Sequence, residues 1–202
     1  MNHAANQSAN AVAEVADGYP KTISLSGQEV EIRVLGVEDR AQVLAFAQAL
    51  PEQDLLFLRL DITEPGIVDA WLANISSGAT CSLCAYAGGE LVGYATVERN
   101  PARWTRRVGE IRVNVAPSLR SHGLGRSLTS QIFDIARAMG LKKLVAHMTP
   151  DQAGAQAAFK RLGFVPEALL ADHVEDRHGN AHDLIIMSYD MDGHSGHMDD
   201  PV

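Results

Sequence analysis

Cysteine is nearly absent: Cys81 and Cys84 are the only two in 202 residues. That excludes a disulfide framework, and no second Cys or Cys/His pair stands at zinc spacing. The Cys-Ser-Leu-Cys spacing is also that of a redox motif, but the pair lies in an apolar run from Thr80 to Ala87 that reads as a strand. Side chains three apart on a strand face opposite sides, so two buried structural thiols are the better reading. Positive charge is in deficit, with 17 Lys and Arg against 25 Asp and Glu and a net charge of −8. This argues against a broad footprint on nucleic acid or an anionic membrane. It leaves room for a small polyanion held locally by a helix N-terminus and one or two cations. Nowhere does an apolar stretch approach the roughly 20 residues needed to span a bilayer. Met1–Asp17 lacks a basic start and carries Glu14 inside its only apolar stretch, so it fails as a signal peptide. A soluble protein of a reducing cytoplasm is the expectation.

The apolar content of 46% and the length suit one substantial domain. Residues 1–20 read as a disordered leader and 21–191 as the domain. Residues 192–202, with His194 and His197, read as a solvated tail. Glu29 to Leu35 alternates as a half-buried strand, and Glu38-Asp39 opens a helical pattern through Leu50. Pro51 to Thr63 is mixed, whereas Ile67, Val68, Trp71, Leu72 and Ile75 recur at helical spacing. Cys81–Ala87 and Leu91–Glu98 flank Gly88-Gly89 as a hairpin does. Val108–Ala116 is a strand ended by Pro117, with Ile111, Val113 and Val115 on one face. Leu124, Leu128, Ile132, Ile135, Ala136 and Met139 then repeat as a helix that stops at Gly140. A strand over Leu141–Met148, a helix over Asp151–Leu162, and two strands joined at Asp176–Asn180 complete the order. The pattern is a single mixed α/β domain with more strands than helices.

Between the strand and the helix lies Arg120-Ser121-His122-Gly123-Leu124-Gly125-Arg126. A strand, a glycine-punctuated turn and a helix N-terminus together expose unpaired amides pointing one way, and the helix dipole favours an anion there. Gly123 and Gly125 let the backbone approach a pyrophosphate, and Arg120 and Arg126 put mobile charge at the rim. The dinucleotide fingerprint fails because its third glycine position holds Leu128, and no Gly-Lys-Ser or Gly-Lys-Thr of a Walker loop occurs. On motif grounds alone, a tight turn without ligand stays open beside an acyl-CoA loop.

Val113-Asn114-Val115-Ala116-Pro117 followed by Arg120-x-x-Gly123-x-Gly125 resembles the acyl-CoA signature of the GNAT superfamily. Ile32-Arg33 with Glu38-Asp39, Ala155 through Gly163-Phe164, and Asp183-Leu184-Ile185-Ile186-Met187 resemble its opening, its late helix and turn, and its closing strands, so the likeness spans about residues 29–191. The resemblance implies a mostly antiparallel central sheet with helices on both faces and acetyl-CoA, or another acyl-CoA, as cosubstrate without a metal. The pyrophosphate would sit on Arg120, Ser121, His122, Gly123, Leu124, Gly125 and Arg126. Pantetheine would run along the backbone of Val113, Asn114 and Val115, and a backbone amide would polarise the acyl carbonyl.

The nucleophile is then the acceptor amine itself, on a small molecule, a peptide or a protein lysine. Because such an amine is mostly protonated at pH 7, a base helps, and Glu110 stands where many relatives carry a carboxylate in that role. A surface or salt-bridged carboxylate is the plainer alternative for Glu110. Where many relatives have an Asn and, seven residues on, a proton-donating Tyr, this chain has Gln152 and Phe159. Gln152 can still hydrogen-bond the cofactor, whereas Phe159 has no proton to give. A binding or sensor module that holds acyl-CoA without turnover is therefore the alternative function. His147, His173, His178, Asp183 and Tyr94 read first as structural or solvated. By the resemblance, acceptor-binding residues fall in about 50–75 and 170–182, and Leu55-Leu56-Phe57-Leu58-Arg59 resembles a segment of some protein-lysine acetyltransferases. A homodimer is left open.

Overall fold

A computed structural model describes residues 14–56, 58, 60–99, 102 and 104–193. Most of the expected leader, the expected tail beyond Gly193, and Phe57 and Arg59 lie outside the described residues. Of the leader's last seven residues, Val15 and Tyr19 pack against the core.

Eight strands form one sheet in the order β1-β2-β3-β4-β5-β6-β8-β7, all neighbours antiparallel except β5 and β6. The strands are β1 (Lys21–Leu25), β2 (Gln28–Val34), β3 (Thr80–Ala87), β4 (Glu90–Arg99), β5 (Val108–Val115), β6 (Lys143–Met148), β7 (Val165–Glu175) and β8 (Ala181–Asp190). The helices are α1 (Arg40–Ala49), the single turn α2 (Glu52–Leu55), α3 (Pro65–Ser76), α4 (Leu124–Ala138) and α5 (Ala153–Arg161). The expected architecture is present, mostly antiparallel and with helices on both faces.

Strand β1 has no counterpart in the periodicity reading. Its five residues are too few for alternation to stand out, but Ser26-Gly27 is a recognisable two-residue turn. Both residues have positive φ, at 50° and 84°, and they bring Leu25 opposite Gln28. Strand β7 is less regular than expected, with register shifts at Pro166/Ala168 and Leu170/Val174.

Two apolar layers cover the sheet. Leu124, Leu128, Ile132 and Ile135 of α4 are fully buried against Ile32, Leu83, Val97 and Ile111, with Phe159 and Phe164 in the same cluster. On the other face α1 and α3 deliver Val43, Phe46, Val68 and Trp71 against Cys84 and Tyr94. Helix α3 starts with Pro65 in its first turn, where the missing N–H costs nothing. Trp71 keeps its indole N–H satisfied by donating to Ser82 Oγ at 3.2 Å.

The entry to α1 is tied by a buried carboxylate. Asp39, 1% exposed, accepts hydrogen bonds from both terminal nitrogens of Arg33, from the Gly36 N–H at 2.8 Å and from the Tyr86 hydroxyl at 2.6 Å. A charge at that depth persists only when so fully partnered, and the knot joins β2, β3 and α1.

Cys81 and Cys84 are both buried and unbridged, and they fall in opposite layers as the two-residue period requires. Burial pushes the Cys81 thiol up to about 11 and the Cys84 thiol up to about 12. At pH 8 the thiolate fraction is then roughly one in a thousand or less. Native protein should show no fast thiol with Ellman's reagent, and both should react at once in guanidinium. Two fast thiols in the native state would contradict this burial. Among the described residues no helix is long and apolar enough to cross a membrane.

Candidate active site

Strands β5 and β6 pair only over Val108–Glu110 and Lys143–Val145, after which they part. Strand β5 continues to Val115 along β4, so its other edge lies open. The Ala116 N–H donates to the Val92 carbonyl at 2.8 Å, toward β4. By strand alternation the backbone groups of Val113 and Val115 turn the opposite way, into the gap. They have no ladder partner there. Asn114 turns its backbone to β4 instead, and its side-chain NH2 donates to the Tyr94 hydroxyl at 2.7 Å. At the end of β6, the Thr149 hydroxyl is buried and finds no protein partner.

The gap opens toward the glycine loop. Pro117–Leu119 forms a 3-10 turn, Ser121 has φ 63°, and Gly123 has φ 93° as the N-cap of α4. Because Ser127 is the first residue to bond back, to the Gly123 carbonyl, the amides of Leu124, Gly125 and Arg126 have no intrahelical acceptor. Ser121, His122, Gly123 and Arg126 are exposed. The His122 ring Nδ1 lies 2.7 Å from the Arg120 carbonyl. Arg120 donates from Nε to the Val115 carbonyl at 3.0 Å and also pairs with Asp54. Free amides on a 15-residue helix, two arginines and an open strand edge fit a linear molecule with a polyanionic head and an amide-bearing arm.

On the face of β5 away from α4, Glu110, Arg112 and Asn114 stand in a row. Their cross-strand partners on β4 are Glu98, Thr96 and Tyr94. Arg112 donates from Nε to Glu110 Oε1 at 3.1 Å and from a terminal nitrogen to Glu98 Oε2 at 2.6 Å. Burial works against its charge, but Glu110 and Glu98 outweigh that and hold the guanidinium above its ordinary value. The second Glu110 oxygen lies 3.7 Å from Nδ1 of His147 on β6. The Glu110 side chain is only 13% exposed, that of His147 33%. Sequence reasoning singled out Glu110 but not its neighbours Arg112 and Glu98; the spacing of Glu110 and Arg112 by two was the available signal.

Leu58, Leu60, Ile62, Trp71, Tyr94 and Arg112 enclose a narrow cavity of about 20 Å³ beside this row. Tyr94 is buried, packed against Trp71 at 5.0 Å and Phe46 at 6.0 Å between ring centroids. The two segments expected to face the acceptor meet in space. Arg177 of the β7–β8 turn reaches Asp61 at 2.6 Å, and His178 reaches Glu52 at 3.4 Å. A larger hollow of about 350 Å³, bordered by Gln156, Leu169 and Met187, includes neither the glycine loop nor Glu110.

The remaining candidates are accounted for locally. Gln152 caps α5, with its side-chain oxygen accepting the Thr149 N–H at 3.0 Å. Phe159 is 9% exposed and stands edge-on to Phe164 at 4.9 Å, within the α4-side core. His182 lies between Asp176 and Asp151, and Asp183 accepts the Asp172 N–H. Hydrogen bonds from Asn180 hold the Asp176 carboxyl well below the usual carboxylate range. His173, exposed on β7, takes no part in the arrangement around Glu110. Among the described residues no group of three His, Cys, Asp or Glu can hold a metal ion.

The family described as Acetyltransferase (GNAT) matches residues 52–164. An L-methionine sulfoximine/L-methionine sulfone acetyltransferase of Pseudomonas paraeruginosa is 30% identical over 125 residues, 61% of this chain and 72% of that protein. Two other acetyltransferases match at 36% identity, but the chain spans only 22% and 40% of their lengths. Among solved structures, the ribosomal-protein-alanine N-acetyltransferase of Brucella melitensis superposes with a TM-score of 0.69 at 26% identity, over 79% of this chain and 98% of that one. The structure of yncA from Salmonella typhimurium with its cofactor acetyl-CoA does so at 0.66 and 24%, over 81% and 96%, which bears on the fold alone. With the parted strands, the glycine-capped helix and the matched sequence in agreement, the chain belongs to the GNAT acetyltransferase family.

Proposed function

We propose that the chain moves the acetyl group of acetyl-CoA, or the acyl group of a close relative, to a primary amine by direct attack in a ternary complex. The observation that carries this reading is that one strand, β5, joins the two halves of the chemistry. Its open edge leads from the helix N-terminus into the gap, and the face away from α4 presents Arg112 to the narrow cavity with Glu110 bonded to it. Pyrophosphate oxygens accept from the amides of Leu124 to Arg126, the pantetheine arm bonds the backbone of Val113, and Glu110 takes the proton of the acceptor ammonium.

The reaction needs no metal and no covalent enzyme intermediate. A thiolate with a free pKa near 8.5 is a tolerable leaving group, so the absence of a hydroxyl at Phe159 is compatible with turnover. The acceptor amine belongs to a small molecule, a peptide or a protein lysine, and a small amine comes first. The cavity is narrow, and a relative matched over 61% of this chain is an L-methionine sulfoximine/L-methionine sulfone acetyltransferase.

Phe159 favours a second reading, a module that binds acyl-CoA without turning it over. Calorimetry with acetyl-CoA, followed in the same sample by free-thiol release against a panel of amines, separates the two. Binding with amine-dependent release is expected. Binding without release from any amine would favour the sensor, and no binding would sink both. Acetyl-CoA at 100 times its Kd should also stabilise the fold by about 2.7 kcal/mol.

A further inference from the structure

Each turnover on an ammonium acceptor releases one net proton. The acceptor enters as R–NH3+ and leaves as R–NH–CO–CH3; a C–N bond forms, the C–S bond breaks, and the thiol keeps one of the two protons lost from nitrogen. The other must reach solvent from Glu110, whose side chain is 13% exposed.

Of the two Glu110 oxygens, Oε1 faces Arg112 Nε at 3.1 Å. A guanidinium has no lone pair to offer and stays charged, so no proton leaves by that side. Oε2 faces His147 Nδ1 at 3.7 Å. That separation is too long for a direct hydrogen bond, and one bridging water or a small side-chain rotation closes it. His147 stands on β6 just where β5 and β6 have parted, with a third of its side chain in solvent. A neutral imidazole can accept a proton at one ring nitrogen and give one up from the other.

We infer that His147 is the proton outlet of the site, taking the proton from Glu110 at Nδ1 and releasing one from Nε2 to water. This rests on Glu110 as the base. Glu110 and, behind it, Arg112 face the ring from β5, and the cross-strand residue on β8 is the uncharged Ile186. His147 acts through Glu110, so it is a positioning and relay residue.

The test compares wild type, His147→Ala, His147→Gln and Glu110→Gln in acetyl transfer to the best amine found, with pH profiles and added imidazole. His147→Ala and His147→Gln should each lower kcat by about tenfold with little change in KM for acetyl-CoA. Imidazole should restore most of the loss in His147→Ala, where it can occupy the space, and none in Glu110→Gln. The acid limb of the kcat profile should move in the His147 variants. If Glu110→Gln is slow while His147→Ala matches wild type and ignores imidazole, the outlet is overturned and Glu110 stands. If Glu110→Gln matches wild type, the assignment of the base itself falls.

Discussion

Glu110→Gln should lower kcat/KM for acetyl transfer by about 100- to 1,000-fold at pH 7, with acetyl-CoA affinity within about twofold of wild type. The amide keeps the size of the carboxyl and can still accept from Arg112 Nε, so the row on β5 is undisturbed. Only the capacity to take a proton is lost. An alkyl amine with a pKa near 10.4 is then nucleophilic only in its small neutral fraction, about one part in 2,500 at pH 7. The sign of the pH dependence follows. The variant should gain activity steadily as pH rises toward the amine's own pKa, while wild type levels off earlier. A kcat/KM profile unchanged by the substitution would remove Glu110 from the mechanism.

Gly123→Val should weaken acetyl-CoA binding by about 100-fold and leave the fold in place. At φ 93° a β-branched residue is strained, and relief requires rotating the backbone that aims the amides of Leu124, Gly125 and Arg126. Packing does not forbid the change, since a Cβ there meets nothing nearer than Leu25 Cδ2 at 3.9 Å. The loss should therefore appear in calorimetry as affinity, with the thermal midpoint lower by only a few degrees. Retained affinity would count against the loop as the phosphate site.

The glycine loop was legible because all its parts are contiguous: Pro117 ends a strand, Gly123 permits the left-handed turn and Leu124 begins the apolar stripe of α4. Cys81 and Cys84 were legible for a similar reason, since an odd spacing on a strand places two side chains in opposite layers. Strand β1 was not, because five residues carry too little periodic signal and it is the pairing with β2 that makes them a strand. Glu110 was singled out by its place on the signature strand. Its partners were hidden: Glu98 comes opposite through the β4–β5 register, and His147 comes near only because β6 runs parallel to β5 for three residues.

By itself the sequence determined the element order from β2 onward and the strand, glycine turn and helix of the loop, since hydrophobic period, turn residues and capping act within a few residues of chain; the family followed from the resemblance of its motifs. Tertiary structure alone decided where β5 and β6 part and which carboxylate oxygen meets a cation and which a histidine. It also decided that Phe159 turns into the core and that the β7–β8 turn closes on Glu52 and Asp61. Those facts depend on register and on packing between segments far apart in the chain, and no local pattern encodes either.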